Sequence, residues 1–208
     1  MKPELIKICG LSTRDAIDAT IEGGATHMGL IFFEKSPRHV TTDHAHTLSQ
    51  HAGERICKVA VTVNAGDDYL QKIVEKVKPN LLQLHGSESV SRVTELKSRF
   101  GLPVIKSLAI NSVNDLEKAR DYIGVANHLL FDAKAPEGVE VPGGNGIAFD
   151  WEIMDHWPSN VPYILSGGLN QGNILGAVKN SGATGVDISS GVETSPGIKS
   201  VDMIREFL

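Results

Sequence analysis

The sequence predicts an α/β fold: a single (β/α)8, or TIM, barrel running over residues 1–208. Three observations predict it. Short apolar segments of strand character alternate with amphipathic segments of helical character along the chain. Eight such pairs fill it, each of about 25 residues. Several of the strand-like segments also carry polar residues on one alternating face near their C-terminal ends, which is where barrels build their sites. A doubly wound sheet would need only five or six strands and would leave two segments unplaced. No GxGxxG follows the first strand, so a dinucleotide fold loses its main signal.

The elements follow in order. Residues 5–9 form an apolar strand that ends in a thiol, Cys9, with a turn at Gly10 and a helix start at Ser12. Its helix covers 13–23. The next strand–helix pairs are 28–33 with 42–51, 58–63 with 67–77, 81–85 with 89–100, and 104–109 with 112–122. Then come 128–132 with 150–155, 163–166 with 170–180, and 185–189 with 199–208. Asp67-Asp68 opens one helix, and Ser87 opens another with Val90 and Val93 behind it. Gly23-Gly24, Gly101 and Gly182 stand where helices should stop. Residues 134–146 hold two prolines and four glycines, which excludes a helix or an interior strand. This stretch follows the sixth strand, so it is expected to overhang the C-terminal face as an active-site loop.

Bulk properties narrow the function. A chain of 208 residues, 41% hydrophobic and 22% charged, can bury a full core as one soluble domain. A net charge of −5 argues against nucleic acid as the main partner but leaves room for an anionic small molecule. There is no membrane-length apolar run and no leader pattern, so neither a membrane nor an export role is expected, and the location expected is the cytoplasm. The two cysteines, Cys9 and Cys57, fit neither zinc nor CxxC spacing. Cys57 reads as a small buried hydrophobe. His39, His44, His46 and His51 cluster around the second helix without a metal pattern, and read as a solvated face.

Strand alternation sorts the candidates. In the first strand Ile6 and Ile8 face the helices, and Lys7 and Cys9 face inward. In the fourth, Gln83 and His85 share the inward face. In the sixth, Leu130 and Asp132 do so, and in the eighth, Asp187 and Ser189. Burying Lys7 and Asp187 apart would cost several kcal/mol, so they are expected to pair. Cys9 and Asp132 make a proton-transfer couple. The thiol acts as base if positive charge such as Lys7 lowers its pKa, and the carboxyl acts as acid if a low-dielectric site raises its own. His85 is expected to line the site without an assigned role.

Gly167-Gly168 follows the seventh strand, and Ser189-Ser190-Gly191 follows the eighth. In barrels these two loops form a phosphate cradle from backbone N–H groups. Arg38 follows Pro37 after the second strand, on the same face as Cys9 and Asp132. A guanidinium so placed suits a two-point grip on a carboxylate.

Assembled, these groups resemble the phosphoribosylanthranilate isomerase family of tryptophan biosynthesis. The resemblance rests on Lys7-Ile8-Cys9-Gly10, Ser36-Pro37-Arg38 with Val40, Gln83-Leu84-His85-Gly86 and Phe131-Asp132. It continues through Leu165-Ser166-Gly167-Gly168-Leu169, the stretch from Gly185 to Glu193, and Ser195-Pro196-Gly197 with Lys199. It implies an Amadori rearrangement of a phosphorylated small molecule, without cofactor or metal, by a monomer or homodimer. Asp132 would be the general acid, Cys9 the general base, Arg38 the carboxylate grip, and the two glycine-bearing loops the phosphate site. Two stretches depart from the family pattern. Residues 143–151 lack the threonine it more often has, and Val63-Asn64-Ala65-Gly66 lacks the usual bulky residue after asparagine. Indoleglycerol-phosphate synthase would need a lysine-centred acid on other strands. The related isomerase of histidine biosynthesis has an aspartate where Cys9 stands. A sensor barrel without activity would lack Cys9 or Asp132.

Overall fold

The apolar runs pair in parallel, each with the next in sequence, and the last closes onto the first. The strands are β1 (Leu5–Cys9), β2 (His27–Phe32), β3 (Cys57–Thr62), β4 (Leu81–Leu84), β5 (Val104–Ile110), β6 (His128–Ala133), β7 (Ile164–Leu165) and β8 (Gly185–Ile188). Pairing of Leu5 with Gly185 and of Lys7 with Asp187 joins β1 to β8 and completes the barrel. The computed structural model describes residues 3–134, 143, 144, 146 and 150–208. Most of the expected active-site loop at 134–146 therefore lies outside the described residues.

Period-two alternation divides the core into two shells. Leu5, Val59, Leu81, Ile105, Leu130 and Ile164 pack inside the barrel. Ile8, Met28, Leu30, Ala60, Leu82, Leu84, Phe131, Val186 and Ile188 face outward and pack under the helices. Each such Leu, Ile, Val, Met or Phe side chain contributes about 1.5–3 kcal/mol by leaving water.

The helices are α1 (Arg14–Glu22), α2 (Thr42–Ala52), α3 (Asp67–Val77), α4 (Val90–Phe100), α5 (Val113–Ala119), α6 (Ile174–Ser181) and α7 (Val201–Phe207). Two start one or two residues later than the sequence suggests. Thr13, not Ser12, caps α1 by accepting from the Ala16 N–H at 3.3 Å, and Ser89, not Ser87, caps α4 through Arg92. The Ser87 N–H instead donates to Asn64 Oδ1. Gly23, Gly101 and Gly182 do cap the ends of α1, α4 and α6.

Three larger differences have local causes. The expected helix at 150–155 is a 3-10 segment, Trp151–His156. The space beside it is filled by an aromatic trio, in which Phe131 meets Trp157 edge-on at 4.9 Å and Tyr163 at 5.0 Å. Helix α6 starts at Ile174 rather than 170 because Asn170 and Asn173 build a turn first. Both side-chain amides donate to the Gly168 carbonyl, and Asn173 Oδ1 accepts from the Asn170 N–H. Helix α7 starts at Val201 because the preceding residues form a hairpin of β9 (Glu193–Ser195) and β10 (Ile198–Lys199).

Cys57 is half-buried rather than enclosed. The histidines of α2 are tethers rather than a purely solvated face. His44 donates to the Ser12 carbonyl, His46 to the Lys76 carbonyl, and His51 contacts the Asp18 carboxylate at 2.9 Å. Among the described residues no helix is long and apolar enough to cross a membrane.

His27 opens β2 at the end of the barrel away from the cleft. Burial, with Lys7 and His128 adding to it, pushes its pKa down from 6.5 to about 4. The folded state therefore holds His27 neutral, while the unfolded chain binds a proton below pH 6.5. Stability from this group is complete above that value and is lost as pH falls toward 4. Discounted for partial exposure, the loss is about 2 kcal/mol. Urea unfolding at pH 7 and pH 5 measures it, and His27→Asn is expected to shrink the difference between the two. An unchanged difference would rule His27 out as the cause.

Candidate active site

Cys9 ends β1 and is 5% exposed. It sits beside Gly29 of β2, its partner in the parallel register. A Cβ at Gly29 would come within 2.8 Å of the Cys9 sulfur and 3.2 Å of Lys7 Cε, so only glycine leaves the thiol and the lysine stem their room. One layer below, Lys7 Nζ donates to Asp187 Oδ1 at 2.8 Å, both side chains being buried. The expected pair is thus formed. Desolvation works against the Lys7 charge, but Asp187 and Cys9 outweigh it, and its pKa is raised.

The thiol differs from expectation in sign. Burial dominates and pushes Cys9 above its ordinary 9.0, and Asp187 adds to the rise. Lys7 pulls down, as does Lys199, without prevailing. Lys7 is committed to Asp187, and the pair together exerts a much weaker field than a free cation.

Asp132, near the end of β6, is 5% exposed. Its Oδ1 accepts from the Ala133 N–H at 2.9 Å, and its Oδ2 lies 3.3 Å from His85 Nε2. Gln83 holds that ring from behind, its amide nitrogen 2.9 Å from His85 Nδ1. Ser107 Oγ is 3.4 Å from His85 Nε2. Gln83 is fully buried and stands behind the cleft rather than in it. Lys7 likewise lies beneath the cleft floor, whereas His85 and Asp187 line it.

Arg38, in the loop after β2, is already engaged. Its Nε and Nη2 each donate to a Glu193 oxygen at 2.8 Å, and Nη2 also donates to the Gly144 carbonyl at 3.2 Å. Glu193 was not singled out as a site residue by sequence reasoning, nor was Lys199, whose Nζ lies 2.5 Å from Glu193 Oε1. Burial raises the Glu193 pKa, but Arg38 and Lys199 overcome this and hold it below the usual carboxylate range. Burial depresses Lys199, with Glu193 opposing.

The two glycine-bearing loops meet at the barrel mouth. Gly167, Gly168, Ser189 and Ser190 line the cleft. Gly191 does not: it packs directly against the Leu169 carbonyl, leaving no space for a side chain, and so holds one loop against the other. Ser189 Oγ donates to the Cys9 carbonyl at 3.1 Å, and Lys199 Nζ donates to the Ser189 carbonyl at 3.0 Å.

The cleft is open to solvent at the barrel mouth. Cys9, Asp132, His85, Arg38, both loops and Gly143-Gly144 surround it. Ile31, Phe33, Val61, Val63 and Leu169 form apolar walls. A thiol, a carboxyl, a guanidinium and backbone-rich turns therefore face one space with apolar sides.

Comparison with known proteins agrees. The family model described as N-(5'phosphoribosyl)anthranilate (PRA) isomerase matches residues 6–208. The N-(5'-phosphoribosyl)anthranilate isomerase of Rhizobium leguminosarum bv. trifolii is 51% identical over 207 residues, covering 100% of this chain and 93% of that protein. The Brucella canis protein of the same name is 52% identical over 202 residues, 97% of this chain and 91% of that one. The crystal structure of the Thermotoga maritima phosphoribosyl anthranilate isomerase superposes with a TM-score of 0.86 at 32% identity, covering 98% of this chain and 96% of that one. A phosphoribosyl anthranilate isomerase structure in complex with reduced 1-(o-carboxyphenylamino)-1-deoxyribulose 5-phosphate superposes at 0.82 with 29% identity, covering 98% and 95%. With the family model spanning nearly its whole length, this chain belongs to the N-(5'-phosphoribosyl)anthranilate isomerase family.

Proposed function

We infer that the chain converts N-(5-phospho-β-D-ribosyl)anthranilate into 1-(2-carboxyphenylamino)-1-deoxy-D-ribulose 5-phosphate, a step of tryptophan biosynthesis. The observation that carries this is the placement of Cys9 and Asp132 in one cleft, on β1 and β6, between a guanidinium and two glycine-bearing loops.

Asp132 gives its proton to the furanose ring oxygen. The C1′–O bond breaks, and the anilino nitrogen lone pair forms a C=N⁺ bond. Cys9 as thiolate removes the C2′ proton, and the electrons of that C–H bond neutralise the iminium, giving an enolamine. Tautomerisation yields the ketone. Both transfers are general acid–base steps, each worth about 10²–10⁴ in rate. The His85 contact to Asp132 Oδ2 fixes the carboxyl orientation. Arg38 holds the anthranilate carboxylate, and Gly167, Gly168, Ser189 and Ser190 hold the phosphate, with Gly191 keeping the two loops together.

The test is turnover. Phosphoribosylanthranilate is generated in place and the loss of its fluorescence is followed. Rapid loss with wild type supports the reading, and no acceleration by folded wild type refutes it. In the same assay Arg38→Ala is expected to raise KM about 10- to 100-fold, the scale of one lost charge-assisted hydrogen bond. Its kcat should change much less, because the carboxylate takes no part in bond making. An unchanged KM would remove Arg38 from substrate binding.

A further inference from the structure

We propose that Glu193 is a positioning residue that sets the spacing between the carboxylate grip and the phosphate loop, and so selects ligands carrying both anions. The proposal rests on the function inferred above.

Glu193 is 3% exposed on its side chain and lies between two buried cations. It accepts from Arg38 Nε and Nη2 at 2.8 Å each, from Lys199 Nζ at 2.5 Å, and from the Gly197 N–H at 3.3 Å. This carboxylate takes one edge of the guanidinium fork. That pairing, with the Gly144 carbonyl, occupies Nε and Nη2 and, among the described residues, leaves Nη1, beside the Gly144 backbone, as the free end of a guanidinium that lines the cleft. A planar fork held on one edge can offer its remaining donors in only one plane.

The same carboxylate reaches the other anion site. Glu193 and Lys199 face each other across the β9–β10 hairpin. Lys199 also donates to the Ser189 carbonyl at 3.0 Å and lies 3.3 Å from Ser189 Oγ. Ser189 in turn donates to the Cys9 carbonyl. An unbroken chain of polar contacts therefore runs from Arg38 through Glu193 and Lys199 to the phosphate loop and the strand of the thiol. All its charged side chains are 2–5% exposed.

Charge points the same way. Arg38 and Lys199 bring two positive charges and Glu193 one negative. The group is left with a buried surplus of one positive charge, which is costly until an anion arrives. A substrate carboxylate supplies that anion. Without Glu193 the two cations would repel, and Arg38 would have no fixed edge.

The experiment compares wild type with Glu193→Gln, Glu193→Asp, Arg38→Ala and the double variant Arg38→Ala/Glu193→Gln. Thermal melts confirm folding. Expected for Glu193→Gln is a KM for phosphoribosylanthranilate at least tenfold higher with kcat within threefold. The inhibition constant of reduced 1-(o-carboxyphenylamino)-1-deoxyribulose 5-phosphate, which carries both anions, should rise as KM does. That of ribose 5-phosphate, which carries one, should move less than threefold. In the Arg38→Ala background, Glu193→Gln should add less than threefold. Glu193→Asp keeps the charge but shortens the reach, and should raise KM threefold or more. It serves if the glutamine variant does not fold. Overturning results are an unchanged KM in the glutamine or aspartate variant, equal weakening of both inhibitors, or additive effects with Arg38→Ala. Wild type that fails to isomerise phosphoribosylanthranilate would instead refute the function.

Discussion

Cys9→Ser is expected to lower kcat by about 10²–10⁴ with KM within a few-fold, the loss of one general base. Serine is nearly the same shape, so the barrel mouth stays intact and substrate still binds. What disappears is an ionisable group, because an alcohol gives negligible alkoxide near neutral pH. The thiol itself is not freely ionised. Burial holds its pKa above 9.0, so at neutral pH only a minority of molecules carry the thiolate. Deprotonation is what activates a base, so wild-type kcat should climb as pH rises through neutrality toward that raised value. The serine variant should lack this climb. Stopped-flow fluorescence across pH 6–9 tests both statements. Serine turnover within tenfold of wild type, or the same pH slope in both proteins, would take the base role from Cys9.

Asp132→Asn should cost a similar factor, about 10²–10⁴ in kcat. Asparagine keeps the side-chain length and can still accept from the Ala133 N–H. It has no acidic proton for the ring oxygen. Because the Ala133 contact is kept and the two side chains have nearly the same shape, the melting temperature should change little. A slow variant with intact stability assigns the loss to chemistry. A variant of wild-type speed would mean that another group opens the ring.

Much of this was legible in the chain because period-two alternation is strict. Once 5–9 reads as a strand, Lys7 and Cys9 share a face, and the eighth strand must deliver Asp187 beside Lys7. The same logic placed His85 on the inward face with Gln83. What escaped were contacts that no local pattern encodes. Arg38 and Glu193 are 155 residues apart, and nothing in either segment names the other. Residue 199 read as the start of a helix because the amphipathic run begins there, yet its backbone closes a hairpin and its ammonium is enclosed. Gly191 looked like a cradle glycine. Its lack of a side chain instead serves the neighbouring loop's carbonyl. The direction of the Cys9 shift also depended on a competition between burial and two lysines, and that balance is a property of the packed barrel.

The seam between β1 and β8 has a consequence for how the protein is made. Cys9 leaves the ribosome long before Asp187, Ser189, Glu193 and Lys199, which follow it by most of the barrel. Until those arrive, the Lys7 ammonium has no counter-charge and the first strand has only one neighbour. A nascent chain stalled before β8 should carry its thiol open to alkylating reagents and to oxidation, and should turn over nothing. Completion of the seam then buries the sulfur and assembles the anion sites in one closing event, so the enzyme passes from vulnerable and inert to protected and active only when β8 docks on β1.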